Sequence, residues 1–172
     1  MSLIREIPPT AGWPLTIRSL ILSSLKKHPK GLLEEDFKRY LGASSALLTC
    51  SGTAAFYLIL ETIKKLSNKK TVVIPAFICP LIPLAIKRAS LKVEVCDTNA
   101  YNFDFDTSKL KSICEENTDI LAILAAHLGG LPIDLYGLKE TARIQNSFVI
   151  EDCAQSLGAR YHDKKTGALG EF

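Results

Sequence analysis

The sequence predicts an α/β fold, a three-layer α/β/α arrangement with helices on both faces of a mostly parallel sheet. From Leu32 onward, short apolar runs rich in β-branched residues alternate with segments of helical periodicity, which is typical of parallel strands joined by crossover helices. The run DILAILAAH is almost entirely apolar, as expected for a strand buried on both faces of its sheet. With 172 residues, the chain is long enough for one domain with a sizeable core.

The predicted elements follow this alternation along the chain. Apolar residues recur with helical spacing in LTIRSLILSSLKK, LLEEDFKRYL, TAAFYLILETIKKL, CPLIPLAIKRA, DTSKLKSIC and DLYGLKETARIQ. Short β-branched runs predict strands in SALLTC, KTVVIPA, KVEVCD, DILAILAAH and SFVIEDC. Asp106 or Thr107 is the expected N-cap of the DTSKLKSIC helix. The last stretch, ARYHDKKTGALGEF, predicts a hairpin with a polar turn at DKKTG. Because prolines punctuate the start, we expect an N-terminal segment over residues 1–30 and one domain over residues 31–172.

The composition excludes several classes of function. The net charge is only +3, and the basic residues are interspersed with acidic ones, so no nucleic-acid partner is expected. The longest uncharged apolar run, VVIPAFICPLIPLAI, is too short to span a bilayer and is interrupted by prolines. The start, MSLIREIPPTAGW, lacks the pattern of a signal peptide. We therefore expect no membrane segment.

The cysteines indicate neither a disulfide framework nor a metal site. There are 5, an odd number, without a C-x-x-C pair and without a histidine at ligand spacing. They are Cys50, Cys79, Cys96, Cys114 and Cys153. Reduced thiols are typical of the cytoplasm, so a cytoplasmic protein without a bound metal is expected.

Residues that directly follow the predicted strands are the candidates for a site, because ligands of open α/β sheets bind beyond the carboxyl ends of the strands. In TCSGTAAF, the residues Ser51, Gly52 and Thr53 lie between a predicted strand and a long helix. Free amides and the helix dipole at such a corner attract a phosphate or carboxylate. The alternative is that Ser51 or Thr53 simply caps the helix.

Two further stretches follow predicted strands. In VIPAFICP, side chains of Phe77, Ile78 or Cys79 could lie against a planar ligand, although apolar residues at such positions usually belong to the core. In FVIEDCAQSLGA, Asp152 ends a strand inside the sheet, where an ionised carboxylate is costly unless it is paired. A protonated ring nitrogen is one such partner, and Gln155 could reach the same ligand. Alternatively, Asp152 caps a turn or pairs with an arginine.

Together these stretches describe a phosphate corner, a wall and a buried anion at the ends of neighbouring elements. A phosphorylated pyridine needs all three features. Pyridoxal 5'-phosphate (PLP) is anchored by its phosphate, packed on one face of its ring and kept protonated at the ring nitrogen, so that the ring serves as an electron sink. We therefore expect PLP as the cofactor. A nicotinamide cofactor is less favoured, because no G-x-G-x-x-G follows a predicted strand.

Several stretches also carry the signatures of one known family, in the right order. They are FKRYLGASSALLTCSGTAAFYLIL, VVIPAFICPLIPLAIKRA, VEVCDTNAYNFDFDTSKL, AILAAHLGGLPIDLYGL and VIEDCAQSLGARYHDKKTGALGEF. Over about residues 37–172, the chain thereby resembles the DegT/DnrJ/EryC1/StrS sugar aminotransferases. This resemblance implies the PLP-dependent fold type I of aspartate aminotransferase. Residues 31–172 would be the N-terminal portion of its large, PLP-binding domain, which is incomplete here.

The resemblance implies a role for each candidate residue. Asp152 would pair with the pyridinium nitrogen, and Gln155 would approach the ring hydroxyl. Gly52 and Thr53 would hold the phosphate. Cys79 stands where the family usually stacks an aromatic residue on the cofactor. In a second departure from the family, Gly129 stands where a tyrosine is common, and the neighbouring His127 is interpreted as structural.

The resemblance also implies that the Schiff-base lysine is absent from these residues. In the family it lies in an S..K segment beyond the strand that would begin at GALGEF, the end of this chain. Lys164 and Lys165 fall in the predicted hairpin turn and are not assigned the role. We therefore assign no catalytic residue, and we expect a truncated chain that is inactive alone.

Three functions remain open at this point. The first is an aminotransferase that transfers an amino group from glutamate to a nucleotide-linked keto-sugar, with pyridoxamine 5'-phosphate in the half-reaction. The second is a PLP-dependent sugar dehydratase, in which a histidine usually replaces the lysine. The third is a non-catalytic fragment or degenerate scaffold of the same family. Because the family is typically dimeric, a homodimer is expected.

Overall fold

The computed structural model describes residues 16–25 and 30–172, and the chain divides into two compact units, Met1–Leu47 and Leu48–Phe172. In the first unit, α1 spans Ile17–Leu25 and α2 spans Lys30–Leu41, where helical periodicity predicts helices. Most of the proline-punctuated start and both ends of the first predicted helix lie outside the described residues. The predicted division of the chain at residue 30 stays a prediction.

The second unit alternates helices and strands as the sequence predicts. Its helices are α3 (Gly52–Ile63), α4 (Leu81–Arg88), α5 (Thr107–Glu116) and α6 (Leu135–Gln145). Its first four strands are β1 (Thr71–Pro75), β2 (Lys92–Cys96), β3 (Ile120–Ala126) and β4 (Phe148–Asp152). These strands form one sheet with the order β2-β1-β3-β4, and all of its pairs are parallel.

Helices cover both faces of this sheet. On one face, Leu60 of α3 and Ile86 of α4 pack in a cluster with Val72, Leu124 and Ile150 of the sheet. On the other face, a second cluster joins α5 and α6 to alternate residues of the same strands: Leu110, Cys114, Leu135 and Leu138 with Val73, Ile123 and Val149. Every residue of β3 is buried, as its continuous apolar run predicts. The three-layer α/β/α prediction is confirmed.

Short polar side chains cap the N-termini of α5 and α6. The carboxylate of Asp106 accepts hydrogen bonds from the amides of Ser108 and Lys109, so the cap of α5 is Asp106 rather than Thr107. Asp134 caps α6 in the same way through the amide of Gly137. Such caps satisfy amides that have no partner inside the helix. Within the part of the chain that the structure describes, no helix is long and apolar enough to cross a bilayer.

The predicted strand SALLTC is wrong. Residues 45–50 carry no strand and form no ladder with the described strands. Leu47 is 72% exposed, and the boundary between the two compact units falls directly after it. A strand requires a hydrogen-bonded neighbour, and an apolar run does not reveal whether that neighbour exists. The segment therefore leads into α3 without regular structure.

The C-terminal hairpin is confirmed, but its predicted turn is misplaced. Strands β5 (Arg160–Tyr161) and β6 (Lys164–Lys165) are antiparallel, so the two lysines lie in β6 and not in the turn. The turn consists of His162 and Asp163, and His162 adopts a φ of 52°. The hydroxyl of Tyr161 donates to the cap carboxylate of Asp134 at 2.6 Å. This long-range contact helps to fix the register of the hairpin, and local turn propensity does not reveal it.

We expect Leu124→Ala to lower the free energy of unfolding by about 2–5 kcal/mol, because it leaves a cavity in the middle of β3. The side chain of Leu124 is 1% exposed. The matched control is Leu66→Ala, the same change at a residue that is 65% exposed, which we expect to stay within about 0.5 kcal/mol of the parent chain. Urea unfolding of both variants measures the difference. Similar losses in the two variants would contradict the layered core.

Candidate functional site

The carboxyl ends of the parallel strands meet at one edge of the sheet. β1 and β4 end there at Pro75 and Asp152, and the loops that follow carry Cys79 and Gln155. The helix α3 leads from its C-terminus into the amino end of β1, so its N-terminus, with Gly52, points to the same edge. The topology therefore brings the predicted site residues to the edge where ligands of α/β sheets bind.

Side-chain alternation assigns Asp152 to one face of this edge. Residues two apart on a strand point to the same face, and Ile150 packs in the cluster with α3 and α4. Asp152 therefore belongs to the face that α3 and α4 cover. Gly52 begins α3 on that face, and Ile78 of the loop after β1 packs against the same cluster. The phosphate corner, the predicted wall and the anion thus share one face of the sheet.

The first turn of α3 has the features of an anion site. Ser51 is the helix cap, and its hydroxyl accepts from the amide of Ala54 at 3.1 Å, so the capping interpretation holds for Ser51. The amides of Gly52 and Thr53 are the first two of the helix and have no partner within it. A Cβ added to Gly52 would meet nothing within 4 Å. Open space above these amides lets a phosphate approach them.

The carboxylate of Asp152 has no cationic partner among the residues that the structure describes. Its Oδ1 accepts from the amide of Ala154 at 3.0 Å, so the residue does cap the following turn. Its side chain forms no ion pair within the described ranges 16–25 and 30–172, and the predicted pairing with an arginine is not found there. Oδ2 remains an acceptor for a ligand.

Gln155 is held by the loop that follows β3. Its Oε1 accepts from the amide of Gly129 at 2.7 Å, and the side-chain amide nitrogen is thereby left as a donor. Because Gln155 is exposed, that nitrogen can donate to a bound molecule. The glycine that departs from the family pattern thus contributes its backbone to the site.

The three residues predicted to form a wall, in the loop after β1, differ in their exposure. Ile78 is partly buried and packs against the core, in agreement with the alternative that apolar residues at such positions belong to the core. Cys79 is exposed, and Phe77 is 62% exposed. The ring of Phe77 stacks on Phe103, with centroids 5.3 Å apart and an angle of 21° between the rings. An aromatic surface is therefore present at this edge, and it is built by Phe77 and not at position 79.

The buried anion of this edge is Glu151, which sequence reasoning did not identify. The sequence predicts the burial cost at Asp152, but the enclosed side chain is that of Glu151, which is 1% exposed. Glu151 alternates with Val149, which packs in the cluster with α5 and α6, so the two acids point to opposite faces. The alternation of side chains along a strand was therefore the feature of the sequence that could distinguish Glu151 from Asp152.

Glu151 is compensated by a histidine and three backbone amides. His127 Nε2 lies 3.1 Å from Oε2. The amides of Gly167 and Leu169 donate at 2.8 Å and 2.7 Å, and the amide of Gly170 donates as well. Burial by itself raises the pKa of Glu151, but the hydrogen bonds from His127 and the three amides outweigh it and hold the pKa below its usual 4.5. The interpretation of His127 as a structural residue agrees with this geometry.

The glycines of the GALG stretch allow these amides to converge. Gly167 has a φ of 84°, a left-handed conformation that other residues adopt only at a cost. A Cβ at Gly170 would lie 2.8 Å from the carbonyl oxygen of Val149 and 3.2 Å from Cγ of Glu151. Residue 170 therefore has to be a glycine for the backbone to approach β4 this closely.

Cys153 completes a cluster of groups that could in principle bind a metal. The ligand atoms of His127, Glu151 and Cys153 lie within 4.8 Å of one another. However, burial raises the pKa of the Cys153 thiol to about 11, which keeps it protonated at neutral pH. The other two groups are engaged with each other and with backbone amides. This chemistry fits a hydrogen-bonded network better than a metal site.

Comparison with known proteins agrees with this arrangement. The model of the DegT/DnrJ/EryC1/StrS aminotransferase family matches residues 26–172. The chain belongs to this family. Among its relatives, a GDP-4-keto-6-deoxy-D-mannose 3-dehydratase from Yersinia pseudotuberculosis is 29% identical over 142 residues, which cover 80% of this chain. A dTDP-3-amino-3,6-dideoxy-alpha-D-galactopyranose transaminase from Aneurinibacillus thermoaerophilus is 30% identical over 140 residues, again 80% of this chain.

A solved structure shows the same fold. It is the GDP-4-keto-6-deoxy-D-mannose-3-dehydratase of E. coli with bound hydrated PLP, with a TM-score of 0.78, 20% identity and coverage of 94% of this chain and 44% of that one. The chain spans 36% and 37% of the length of the two relatives named above. The family and this neighbour agree with the predicted type I fold and imply a pyridoxal phosphate cofactor.

We expect the stability of the chain to fall in acid in a way that depends on Glu151. Because its folded pKa is lowered, its contribution to the free energy of unfolding is complete above about pH 4.5 and is lost as the pH falls through the lower, folded value. Glu151→Gln should lack this part of the pH dependence. It should also lose about 2–4 kcal/mol at pH 7, because an amide group would face hydrogen-bond donors.

Urea unfolding between pH 7 and pH 3 measures both effects. Glu140→Gln is the matched control, because Glu140 also has a lowered pKa but is an exposed partner of Arg143 on α6. We expect it to leave the stability at pH 7 nearly unchanged. An identical pH profile for Glu151→Gln and the parent chain would show that Glu151 is not the buried anion.

Proposed function

We propose that this edge of the sheet binds PLP. The observation that carries the proposal is the carboxylate of Asp152, which lies on the same face as the free amides of α3 and has no cation beside it within the described residues. A protonated ring nitrogen would supply the missing positive charge. The known fold of the family and the PLP in its solved neighbour support this choice.

Each predicted residue then has a defined task. Asp152 keeps a proton on the ring nitrogen, because its negative charge stabilises the pyridinium form. The amides of Gly52 and Thr53, together with the dipole of α3, hold the phosphate. Gln155 donates from its side-chain nitrogen to the ring hydroxyl. Cys79 lies beside the ring. PLP bound in this way supplies an electron sink for chemistry at the substrate carbon.

We further propose that the protein to which these residues belong transfers an amino group from glutamate to a nucleotide-linked keto-sugar. The dTDP-sugar transaminase among the relatives supports this proposal. The Schiff-base lysine would lie outside residues 1–172, because neither Lys164 nor Lys165 of the hairpin matches the S..K segment of the family. On this proposal, the present residues bind and orient the cofactor, and they do not turn over substrate alone.

A dehydratase is the second candidate function. It is favoured by the GDP-4-keto-6-deoxy-D-mannose 3-dehydratase among the relatives. Both functions use the same residues of this chain, and the residue at the lysine position would separate them, since a histidine there indicates the dehydratase. A non-catalytic scaffold of the family would retain the fold without binding PLP. A homodimer and a cytoplasmic location complete the proposal.

We expect Asp152→Asn to weaken PLP binding about tenfold or more, because a neutral amide does not stabilise a protonated ring nitrogen. Equilibrium dialysis of PLP against the chain measures the affinity, and ¹⁵N NMR of labelled PLP reports whether the ring nitrogen carries a proton. The control is Asp163→Asn, an equal change of charge in the turn between β5 and β6, which should leave the affinity unchanged. Equal affinities for all three chains, or no binding by the parent chain, would overturn the proposal for these residues.

A further inference from the structure

The pair formed by His127 and Glu151 is connected to Gln155 through one loop. His127 Nδ1 accepts from the amide of Ile133 at 3.2 Å, at the end of the loop that begins directly after His127. Within that loop, the amide of Gly129 donates to Gln155 Oε1 at 2.7 Å. Hydrogen bonds at two points of this loop therefore connect a carboxylate on the α5 and α6 face to a side chain at the proposed cofactor site.

The same contacts fix the tautomer of His127. Nδ1 faces an amide hydrogen, so it is an acceptor and carries no proton. The ring proton is then on Nε2, which donates to Glu151 Oε2 at 3.1 Å. Both ring nitrogens of the imidazole are hydrogen-bonded, and the ring is buried, with 0% of its side chain exposed. A proton on Nδ1 would oppose the amide of Ile133 and release one end of the loop.

We propose that Glu151 and His127 act as a positioning pair for the cofactor, orienting Gln155 so that its side-chain nitrogen faces the ring hydroxyl. This inference rests on the proposed function. Glu151 selects the tautomer of His127, His127 holds Ile133, and the loop between them presents the amide of Gly129 to Gln155. Neither member of the pair touches the cofactor. The backbone of β4 supports the same alignment, because the amide of His127 donates to the carbonyl of Asp152 at 3.1 Å.

The chemistry of Glu151→Gln makes the inference testable. On the Oε1 side, the amides of Leu169 and Gly170 are fixed donors. On the Oε2 side there is one fixed donor, the amide of Gly167, and the imidazole of His127 can become an acceptor if its proton moves. The new NH₂ group therefore takes the Oε2 side, where it opposes one amide instead of two and faces Nε2. The proton of His127 then shifts to Nδ1 and opposes the amide of Ile133.

Two substitutions of His127 separate its two hydrogen bonds. In His127→Asn, Oδ1 occupies the place of Nδ1 and can accept from Ile133, while the link to Glu151 is lost. In His127→Gln, the longer side chain can donate to Glu151 but does not replace Nδ1. Ser147→Ala is the control for lost stability alone, because Ser147 Oγ bonds to Ile120 O at 2.6 Å at the opposite, amino end of β4.

The probes are PLP and its analogue that lacks the ring 3-hydroxyl, since the proposed contact of Gln155 requires that hydroxyl. The parent chain should bind PLP about fivefold more tightly than the analogue, as one hydrogen bond predicts. This preference should persist in His127→Asn and Ser147→Ala, and it should disappear in Glu151→Gln and His127→Gln. Imidazole ¹⁵N shifts should show the proton on Nε2 in the parent chain and on Nδ1 in Glu151→Gln. Amide exchange at Gly129 and Ile133 should accelerate about tenfold in the two defective variants.

Each other result overturns a defined part of the inference. A proton that stays on Nε2 in Glu151→Gln, or an unchanged preference in both defective variants, would show that the pair only stabilises the fold. If the parent chain binds both probes equally or neither, the proposed function of Gln155 fails, while the imidazole shifts and amide exchange still decide whether the pair holds the loop. Stoichiometric Zn²⁺ binding that is lost in His127→Gln and Cys153→Ser would show that these groups are metal ligands instead.

Discussion

The burial of the Glu151 carboxylate is the constraint on which the carboxyl edge of the sheet depends. An ionised carboxylate at this depth requires several donors, since leaving any of its acceptors unpaired would cost more than a typical hydrogen bond contributes. The structure supplies these donors from two separate segments, His127 after β3 and the amides of residues 167–170. Segments that are distant in sequence are thereby held at the end of β4. The pair Glu171 and Val149 adds to this attachment, because Glu171 Oε2 accepts from the amide of Val149 at 2.7 Å.

Two adjacent acids perform different tasks because a strand alternates its side chains. Glu151 points to the face of α5 and α6, where it is enclosed, and Asp152 belongs to the face of α3 and α4, where the first amides of α3 are free. The residue that collects donors from distant backbone segments and the residue proposed to face the cofactor are therefore neighbours on one strand. A rigid, fully compensated anion behind the site keeps the strand end in place, whereas Asp152 retains an acceptor for a ligand. The charge that is costly to bury is thus that of Glu151, and the charge that can interact with a ligand is that of Asp152.

Much of the fold follows from the sequence, because hydrophobic periodicity reports burial directly. The helices α3 to α6 and the fully buried β3 lie where their patterns predict. The predictions that are wrong concern features that depend on contacts between residues distant in sequence. SALLTC resembles a strand but has no ladder partner among the described strands, and the hairpin turn at His162 is fixed by a contact from Tyr161 to Asp134. The confusion of Glu151 with Asp152 has a related cause: strand alternation separates the faces of the two acids, but the amides that enclose Glu151 come from residues 167–170, whose approach to β4 no local pattern reveals. Asp152 and Gln155 could be predicted as candidate positions because the ends of parallel strands share one edge. Gly52 follows no strand in the structure, and it lies at this edge because α3 leads back to the amino end of β1.

Because position 79 carries a thiol and not an aromatic ring, binding of the cofactor at the proposed site would depend more on the other residues. Where the family usually stacks an aromatic ring on the cofactor, this chain has a small side chain, and its nearby aromatic surface is the stack of Phe77 on Phe103. A thiol contributes less contact area than an aromatic ring, so the ring of the cofactor would depend more on its polar contacts at the edge. Those contacts come from Asp152 and Gln155, and the orientation of Gln155 depends on Gly129 and the loop that His127 holds. The departure at position 79 thus increases the importance of the buried network behind the site.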